Sequence, residues 1–181
     1  MEILEKQLVY TVGHSVRSWE YFIEMLNSFK IEMVVDIRRF PGSKKYPWFS
    51  KENMKIRLPE NNIDYIHLEE LGGRRKVQPY SINNRWRNES FRGYADYMQT
   101  TDFIKAVENL ENTARKKITV FMCSEAVWWS CHRALVSDYL KAKGWKVEHI
   151  MDVSKTEEHP YTSPARVRNG NVFYSDESLF D

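Results

Sequence analysis

The sequence predicts a single-domain α/β protein in a Rossmann-like three-layer arrangement: a mostly parallel sheet of about five strands, with helices on both faces. Two observations predict this fold. Short apolar runs rich in β-branched residues alternate with segments of helical periodicity, the pattern of repeated β–α units. Runs 33–38 and 118–123 are apolar for most of their length, as strands covered on both faces are. The 181 residues, 42% of them hydrophobic, suffice for one domain over residues 1–181.

The first β–α–β unit has clear boundaries. Residues 8–12 form an apolar, β-branched run that stops at Gly13, which predicts a strand and its exit turn. Ser18 is a suitable N-cap, and apolar residues at helical spacing predict a helix over residues 19–29. The second strand, residues 33–38, follows it.

The middle of the chain holds a third strand between two basic connections. Residues 40–49 form a loop with Pro and Gly, and Ser50 caps a predicted helix over residues 51–61. Residues 63–68 alternate as a strand does. Residues 74–92 are polar, basic and irregular, and a surface loop of this length is uncommon unless it has a function.

The remaining elements repeat the β–α pattern and end in an extension. They are, in order, helical residues 94–117 in one or two pieces, a strand at 118–123, a helix at 131–143 and a strand at 146–150. Gly144 lies at the C-cap position of the last helix. Residues 151–181 form the extension, and the Asn-Gly-Asn run at 169–171 predicts a turn within a hairpin.

Composition narrows the classes of protein. The net charge is +2, from 27 basic and 25 acidic side chains, so the overall charge favours no partner. Two cysteines are too few for a disulfide scaffold and the N-terminus has no signal-peptide pattern, so we expect a cytoplasmic protein. No apolar run approaches the ~20 residues of a membrane helix, so we expect no membrane partner.

Polar residues follow four of the predicted strands. The carboxyl ends of parallel strands meet at one edge of the sheet, where ligands bind in such folds. The residues that this rule brings to one rim are His14, Ser15, Asp36, Arg38, Glu69, Glu70 and the run Cys123-Ser124-Glu125.

The segment from Cys123 to Arg133 joins a buried strand to a helix. Cys131 begins that helix beside His132 and Arg133, and a helix N-terminus with adjacent cations lowers the pKa of a thiol. We therefore predict Cys131 or Cys123 as a nucleophile, with Arg133 and His132 binding an anion. Two alternatives stay open: the cysteines are small buried hydrophobic residues, or they form a reversible disulfide.

Other rim residues offer acid–base and anion-binding groups. Asp36 and Arg38 point the same way along a strand, so Asp36 either orients Arg38 toward an anion or activates a hydroxyl or water. The alternative is a structural ion pair. His14 and Glu125 are candidate general acids or bases, and Ser15 is a candidate anion-binding residue.

Basic and aromatic residues interleave in two loops. Residues 38–57 contain seven basic side chains and one acidic, and residues 74–92 contain six basic and one acidic. Cations for phosphates and rings for stacking are typical of a nucleotide or nucleic-acid surface. The alternative is a solvated basic face. The nucleic-acid candidates are Arg39, Lys44, Lys45, Trp48, Arg74, Arg75 and Trp86.

A metal site is a weaker hypothesis. Cys123, Cys131, His132 and His14 are residue types that bind zinc, but their spacing matches none of the familiar zinc patterns. We therefore predict no metal ligand and no cofactor, with zinc as the alternative.

Several runs together resemble a known family. They are Thr-Val-Gly-His-Ser at 11–15, Asp-Ile-Arg-Arg-Phe-Pro-Gly-Ser at 36–43, Leu-Gly-Gly at 71–73, Cys-Ser-Glu at 123–125 and Cys-His-Arg at 131–133. In this order they resemble domain-of-unknown-function family 488 over a core of about residues 9–150. The family usually has Cys-Ala-Glu at the fourth run. The resemblance implies a shared polar site at His14, Asp36, Arg38, Cys123, Glu125, Cys131, His132 and Arg133, and no particular activity.

We therefore expect an enzyme, a hydrolase or transferase, that acts on an anionic, phosphate-bearing ligand such as a nucleotide or nucleic acid. The second hypothesis is a non-catalytic nucleic-acid-binding module that uses the loops at 38–57 and 74–92. The sequence indicates no oligomeric state.

Overall fold

A computed structural model describes residues 7–176. Its sheet has six strands in the order β3-β2-β4-β1-β5-β6. The first five are mutually parallel, and β6 is antiparallel to β5. These strands are β1 (Leu8–Gly13), β2 (Met33–Asp36), β3 (Asp64–His67), β4 (Thr119–Cys123), β5 (Lys146–Asp152) and β6 (Lys155–Glu158).

Five α-helices cover the two faces of this sheet. They are α1 (Trp19–Ser28), α2 (Lys51–Glu60), α3 (Glu89–Tyr97), α4 (Thr101–Lys116) and α5 (Arg133–Ala142). The helices α1 and α2 pack on one face, and α3, α4 and α5 pack on the other. Strand β4 serves both layers, because Val120 and Met122 point toward α1 and α2, whereas Phe121 and Cys123 point toward the other three. The predicted three-layer α/β fold is confirmed.

The five predicted strands are all present, and the sixth lies in the extension after residue 150. It returns along β5 as an antiparallel edge strand, which the predicted strand count of about five did not include. A separate hairpin of β7 (Arg166–Arg168) and β8 (Asn171–Phe173) follows. Asn169 and Gly170 at its tip have φ angles of 52° and 75°, so the turn predicted at 169–171 is confirmed.

The long basic loop ends earlier than predicted, because helix α3 begins at Glu89. Asn88 caps α3 by accepting hydrogen bonds from the backbone N–H groups of Ser90 and Phe91. The rest of the loop is held to α3 by Asp96, whose carboxylate accepts the Asn83 side-chain amide at 2.7 Å. The predicted helical stretch 94–117 belongs to two helices, and Thr100 caps the second.

A buried polar chain ties the extension to the core. His149 on β5 contacts His159 at 2.8 Å, and His159 contacts the Asp138 carboxylate on α5 at 2.7 Å. Thr162 and Tyr174 donate their hydroxyls to the same carboxylate at 2.5 and 2.8 Å. Residues 159, 162 and 174 of the extension are therefore bonded to β5 and α5. No helix within residues 7–176 has the length and apolarity needed to cross a membrane.

Candidate functional site

A cavity of about 600 Å³ opens at the carboxyl ends of β1, β2 and β4. Its lining includes residues from all three strand exits, from the start of α3 and from the turn before α5. The predicted site residues that line it are His14, Ser15, Arg38, Arg39, Arg74, Cys123, Glu125, Cys131 and His132. Most of the rim predicted from strand exits therefore lines a single concave site, whereas Asp36, Glu69 and Glu70 lie outside the cavity lining.

Glycines let the segments around this cavity approach one another closely. A Cβ atom at Gly13 would overlap the carbonyl oxygen of Glu125, so only glycine fits where β1 meets the turn after β4. A Cβ atom at Gly72 would clash with the backbone of Arg39. The runs at 11–15 and 71–73 thus contain the glycines that let the strand exits lie close together.

The two cysteines lie side by side at the base of the cavity. A hydrogen bond joins Cys131 Sγ and Cys123 Sγ at 2.7 Å, and both thiols are free. The backbone N–H of Arg133, in the first turn of α5, donates to Cys131 Sγ at 3.4 Å. Cys131 therefore lies just before α5, which begins at Arg133, two residues later than predicted, and its sulfur still accepts an N–H from the first turn of that helix.

The surroundings move the pKa values of the two thiols in opposite directions. Burial raises the pKa of the Cys123 thiol well above its ordinary value, and the hydrogen bond with Cys131 adds to this. Burial also acts to raise the pKa of Cys131, but the hydrogen bond with Cys123 and the charge and N–H of Arg133 outweigh it. The pKa of Cys131 is therefore lowered, and Cys131 is the thiol that ionises first.

The ring of His132 places a hydrogen-bond acceptor beside Cys131. Its Nε2 lies 3.2 Å from the carbonyl oxygen of Ile37, which can only accept, so Nε2 carries the proton. The other nitrogen, Nδ1, is then an acceptor and lies 3.5 Å from Cys131 Sγ. Burial lowers the pKa of His132, which keeps the ring neutral. The sequence predicts His132 to bind an anion and does not predict this contact with the thiol.

Arg133 lies behind the cysteines and outside the cavity lining. Its side chain is 1% exposed. Nη2 donates to the Glu125 carbonyl oxygen at 2.9 Å and Nη1 donates to the Thr11 hydroxyl at 3.3 Å. The positive charge of the guanidinium lowers the pKa of Cys131. Its hydrogen bonds also hold the turn at residues 125–126.

Asp36, Arg38 and His14 form a second buried cluster. Arg38 donates from Nε and Nη2 to the two oxygens of Asp36 at 2.9 and 2.7 Å, and from Nη2 to the Phe49 carbonyl at 2.7 Å. Asp36 is fully buried behind Arg38 and does not line the cavity. Asp36 therefore orients Arg38, and the edge of Arg38 and the ring of His14 face the ligand space.

The pairing of His14 fixes its protonation. Nδ1 donates to the carbonyl oxygen of Ser15 at 2.9 Å, so the ring is neutral when Nε2 accepts from Nη1 of Arg38 at 3.2 Å. Burial lowers the pKa of His14 to about 4. The ring is also stacked on Phe49, with centroids 4.4 Å apart. Both ring nitrogens of His14 therefore already have a hydrogen-bond partner within the protein.

No three of the His, Cys, Asp and Glu side chains within residues 7–176 come together as a group that could hold a metal ion.

A profile of the family described as "Domain of unknown function DUF488" matches residues 18–140. The chain belongs to this family. The matched region contains the Asp36–Arg38 pair and the whole segment from Cys123 to Arg133, whereas His14 and Ser15 precede it. Comparison with curated proteins and with solved structures found no match.

The mouth of the cavity in this DUF488 protein is cationic and aromatic. The guanidinium groups of Arg39 and Arg74 both lie over the ring of Phe40, at 5.4 and 5.8 Å from its centroid. Phe40 is 65% exposed. Neither arginine has a carboxylate within 4 Å among residues 7–176. Arg39 Nη1 donates to the carbonyl oxygen of Arg74 at 2.8 Å, but no described carboxylate neutralises either charge, so both can attract an anionic ligand.

The other nucleic-acid candidates lie outside the lining of the cavity. Lys44 and Lys45 are exposed on the neighbouring loop. Arg75 is stacked on Tyr97, with its guanidinium carbon 3.7 Å from the ring centroid. Trp48 and Trp86 are half-buried and pack against the core.

Several lining residues of the DUF488 site were not predicted. They include hydroxyl-bearing side chains: Ser43, Ser90, Tyr94 and Ser130. Ser130 precedes Cys131 in sequence, which is a signal that could have found it. Ser90, Phe91 and Tyr94 reach the cavity because α3 packs over it, and no local pattern indicates that.

Proposed function

We propose that this DUF488 protein is an enzyme that acts on an anionic, phosphate-bearing ligand, with Cys131 as its nucleophile. One observation carries the proposal: a thiol with a lowered pKa lies at the base of a cavity whose mouth holds two guanidinium groups without carboxylate partners. The cations of Arg39 and Arg74 attract the anion, and the thiolate then lies beneath it.

The chemistry follows from the positions of the side chains. Because the buried ring of His132 stays neutral, Cys131 Sγ loses its proton to solvent, and the thiolate attacks the electrophilic phosphorus. The bond from phosphorus to the leaving group breaks, and its electron pair stays with the leaving group. Glu125 lines the cavity as a candidate proton donor to that group. Water or an acceptor hydroxyl then displaces Cys131, which makes the enzyme a hydrolase or a transferase.

A turnover assay under reducing conditions tests this proposal, with phosphate monoesters, nucleotides and short oligonucleotides as substrates. We expect at least one substrate to be turned over, Cys131→Ser to lose about 10³-fold or more of the rate, and a phosphoryl group to be trapped on Cys131 by mass spectrometry. Ser124→Ala is the matched control, because alanine is the usual residue there in the family, and it should keep the rate. If Cys131→Ser turned substrate over as fast as wild type, Cys131 would not be the nucleophile. If none of the phosphate monoesters, nucleotides and oligonucleotides bound or reacted, the protein would not act on phosphate-bearing ligands.

We keep one alternative, a non-catalytic nucleic-acid-binding module. The exposed ring of Phe40 favours it, because a base can stack there while Arg39, Arg74, Lys44 and Lys45 contact phosphates. In that case the cysteine turn has only a structural role.

A further inference from the structure

We propose that Cys123 and Cys131 form a redox pair that reduces a small disulfide-bearing molecule, with Cys131 as the attacking thiol and Cys123 as the resolving thiol. The product on the protein is a reversible Cys123–Cys131 disulfide at the base of the cavity. This activity goes beyond phosphate chemistry and does not require it.

The first argument is the position of the two sulfurs. They are 2.7 Å apart, in a protein whose thiols are both free. A disulfide bond is ~2.05 Å long, so closing it requires a movement of less than about 1 Å. The two cysteines flank a single turn between β4 and α5, so this movement leaves the sheet and the helix in place.

The second argument is the difference between the two thiols. Cys131 receives the Arg133 N–H at 3.4 Å and has His132 Nδ1 at 3.5 Å, so its surroundings stabilise a thiolate. Cys123 faces the apolar layer under α5 and is kept protonated by burial. An attacking thiolate beside a protonated partner is the arrangement that thiol–disulfide exchange requires.

The third argument is access for the oxidant. Both cysteines line the cavity, whose volume of about 600 Å³ admits a small disulfide. Arg39 and Arg74 at its mouth favour one that carries carboxylates. The co-reactant class is therefore a small anionic disulfide, written RSSR.

The electrons and protons balance in two steps. Cys131 thiolate attacks one sulfur of RSSR, the S–S bond breaks, and RS⁻ leaves as Cys131–S–S–R forms. RS⁻ takes the proton of Cys123, whose thiolate attacks Cys131 Sγ and expels the second RS⁻. The protein loses two electrons, RSSR gains two, and the products are RSH and RS⁻. The oxidised protein has no thiolate nucleophile, so the same step turns off the proposed phosphate reaction.

The test treats the reduced, full 181-residue chain with glutathione disulfide, followed by acid quenching, alkylation and peptide mass spectrometry. Wild type should lose both free thiols and yield a cross-linked Cys123–Cys131 peptide. Cys123→Ser should instead accumulate one glutathione adduct on Cys131, because no resolving thiol remains. Cys131→Ser should react about 100-fold more slowly or not at all. Dithiothreitol should restore both thiols in wild type.

Two results would overturn the redox pair: a stable adduct in wild type without a cross-link, or Cys131→Ser reacting as fast as wild type. Circular dichroism checks that each variant is folded, and Cys123→Ala replaces Cys123→Ser if the hydroxyl is not tolerated in the apolar layer. Cystamine, a cationic disulfide, is the charge control and should react more slowly than glutathione disulfide. Phosphate-ester turnover of the reduced protein is measured in parallel. A missing cross-link counts against the redox pair, whereas missing turnover counts against the proposed phosphate chemistry.

Discussion

The guanidinium of Arg38 donates from Nη1 to Nε2 of His14 at 3.2 Å, and this contact determines the state of the imidazole. The hydrogen bond requires a lone pair on Nε2, so the ring is neutral while the pair is intact. Arg38 is itself fixed by both oxygens of Asp36. One carboxylate thus orients a cation, and burial together with that cation keeps a histidine neutral at the edge of the cavity.

Replacing Arg38 with glutamine should strongly destabilise the fold. The variant leaves the fully buried carboxylate of Asp36 without its cation, with only the Tyr65 hydroxyl at 2.6 Å and the backbone N–H of residue 38 at 3.1 Å from the wild-type set of donors. Breaking a buried ion pair in this way costs about 3–5 kcal/mol. Urea unfolding measures the free energy of unfolding, and Arg39→Gln, at a half-buried arginine without a carboxylate partner among residues 7–176, is the control. Equal stability of the two variants would contradict this role of the pair.

The stability of the protein should fall as the pH is lowered from about 6.5 toward 4. Burial lowers the pKa of His14 to about 4 and lowers the pKa of His132 and His149 as well. In this window the unfolded chain binds protons at these rings and the folded protein does not, so lowering the pH favours unfolding. Each ring contributes up to ~1.4 kcal/mol per pH unit.

Urea unfolding at several pH values between 7.5 and 4.5 measures this effect. The free energy of unfolding should be constant above about pH 7 and should decrease below it. His14→Gln removes one of the rings and should make the decrease shallower. A stability that stays constant from pH 7.5 to 4.5 would show that these histidines are not held neutral.

Cys131 should be alkylated by iodoacetamide with a rate midpoint below the ~8.5 of a free cysteine, while Cys123 stays unlabelled. Cys123→Ala should raise the midpoint, because it removes the hydrogen bond that lowers the pKa of Cys131 and leaves the burial that raises it. Peptide mass spectrometry after timed labelling gives both rates, with the urea-unfolded protein as the reference. Equal labelling of both cysteines in the folded protein would contradict the assignment.

Gly13→Ala should destabilise the protein and displace the turn at residues 124–126, because its Cβ atom would overlap the Glu125 carbonyl oxygen. Steric overpacking of this kind costs about 1–3 kcal/mol, or roughly 2–10 °C in Tm for a domain of this size. Gly42→Ala is the matched control, since a Cβ atom there has nothing within 4 Å. Thermal unfolding of both variants measures the difference, and equal Tm values would contradict the close approach.

The fold and the rim could be predicted because they depend on local patterns. The apolar run that ends at Cys123 and the Ser18 cap of α1 are properties of neighbouring residues, and strand exits meet at one edge in any parallel sheet. Asp36 and Arg38 share a side of β2 because side chains alternate along a strand.

The roles of particular side chains could not be predicted, because they depend on packing between distant segments. Arg133 adjoins Cys131 in sequence, yet its guanidinium points beneath the turn toward Thr11, 122 positions away. His132 becomes a neighbour of the Cys131 thiol through its contact with the Ile37 carbonyl on another strand exit. Helix α3 contributes to the lining of the cavity, and its Tyr94 donates its hydroxyl to the distant Leu71 carbonyl at 2.7 Å.

A pair of double variants should separate the enzyme from the nucleic-acid-binding module. Arg39→Gln with Arg74→Gln removes the two cations that line the cavity, and Lys44→Gln with Lys45→Gln removes two exposed cations outside its lining. If the ligand is a small anion in the cavity, the arginine variant should lose about tenfold or more in affinity for a nucleotide, and the lysine variant should bind as wild type does.

Fluorescence titrations with a labelled nucleotide and a labelled single-stranded oligonucleotide, each over a range of salt concentrations, make the measurement. If the ligand is a small anion held by two cations, the affinity for the nucleotide should depend only weakly on salt concentration. The oligonucleotide should then bind no more tightly than the nucleotide. A nucleic-acid-binding surface predicts that the logarithm of the affinity falls against the logarithm of the salt concentration with a slope of about −0.7 per phosphate contact. Both double variants should reduce this slope by similar amounts. A steep slope with equal losses in the two variants would therefore favour the binding module, because extended contacts use the exposed lysines as much as the cavity arginines.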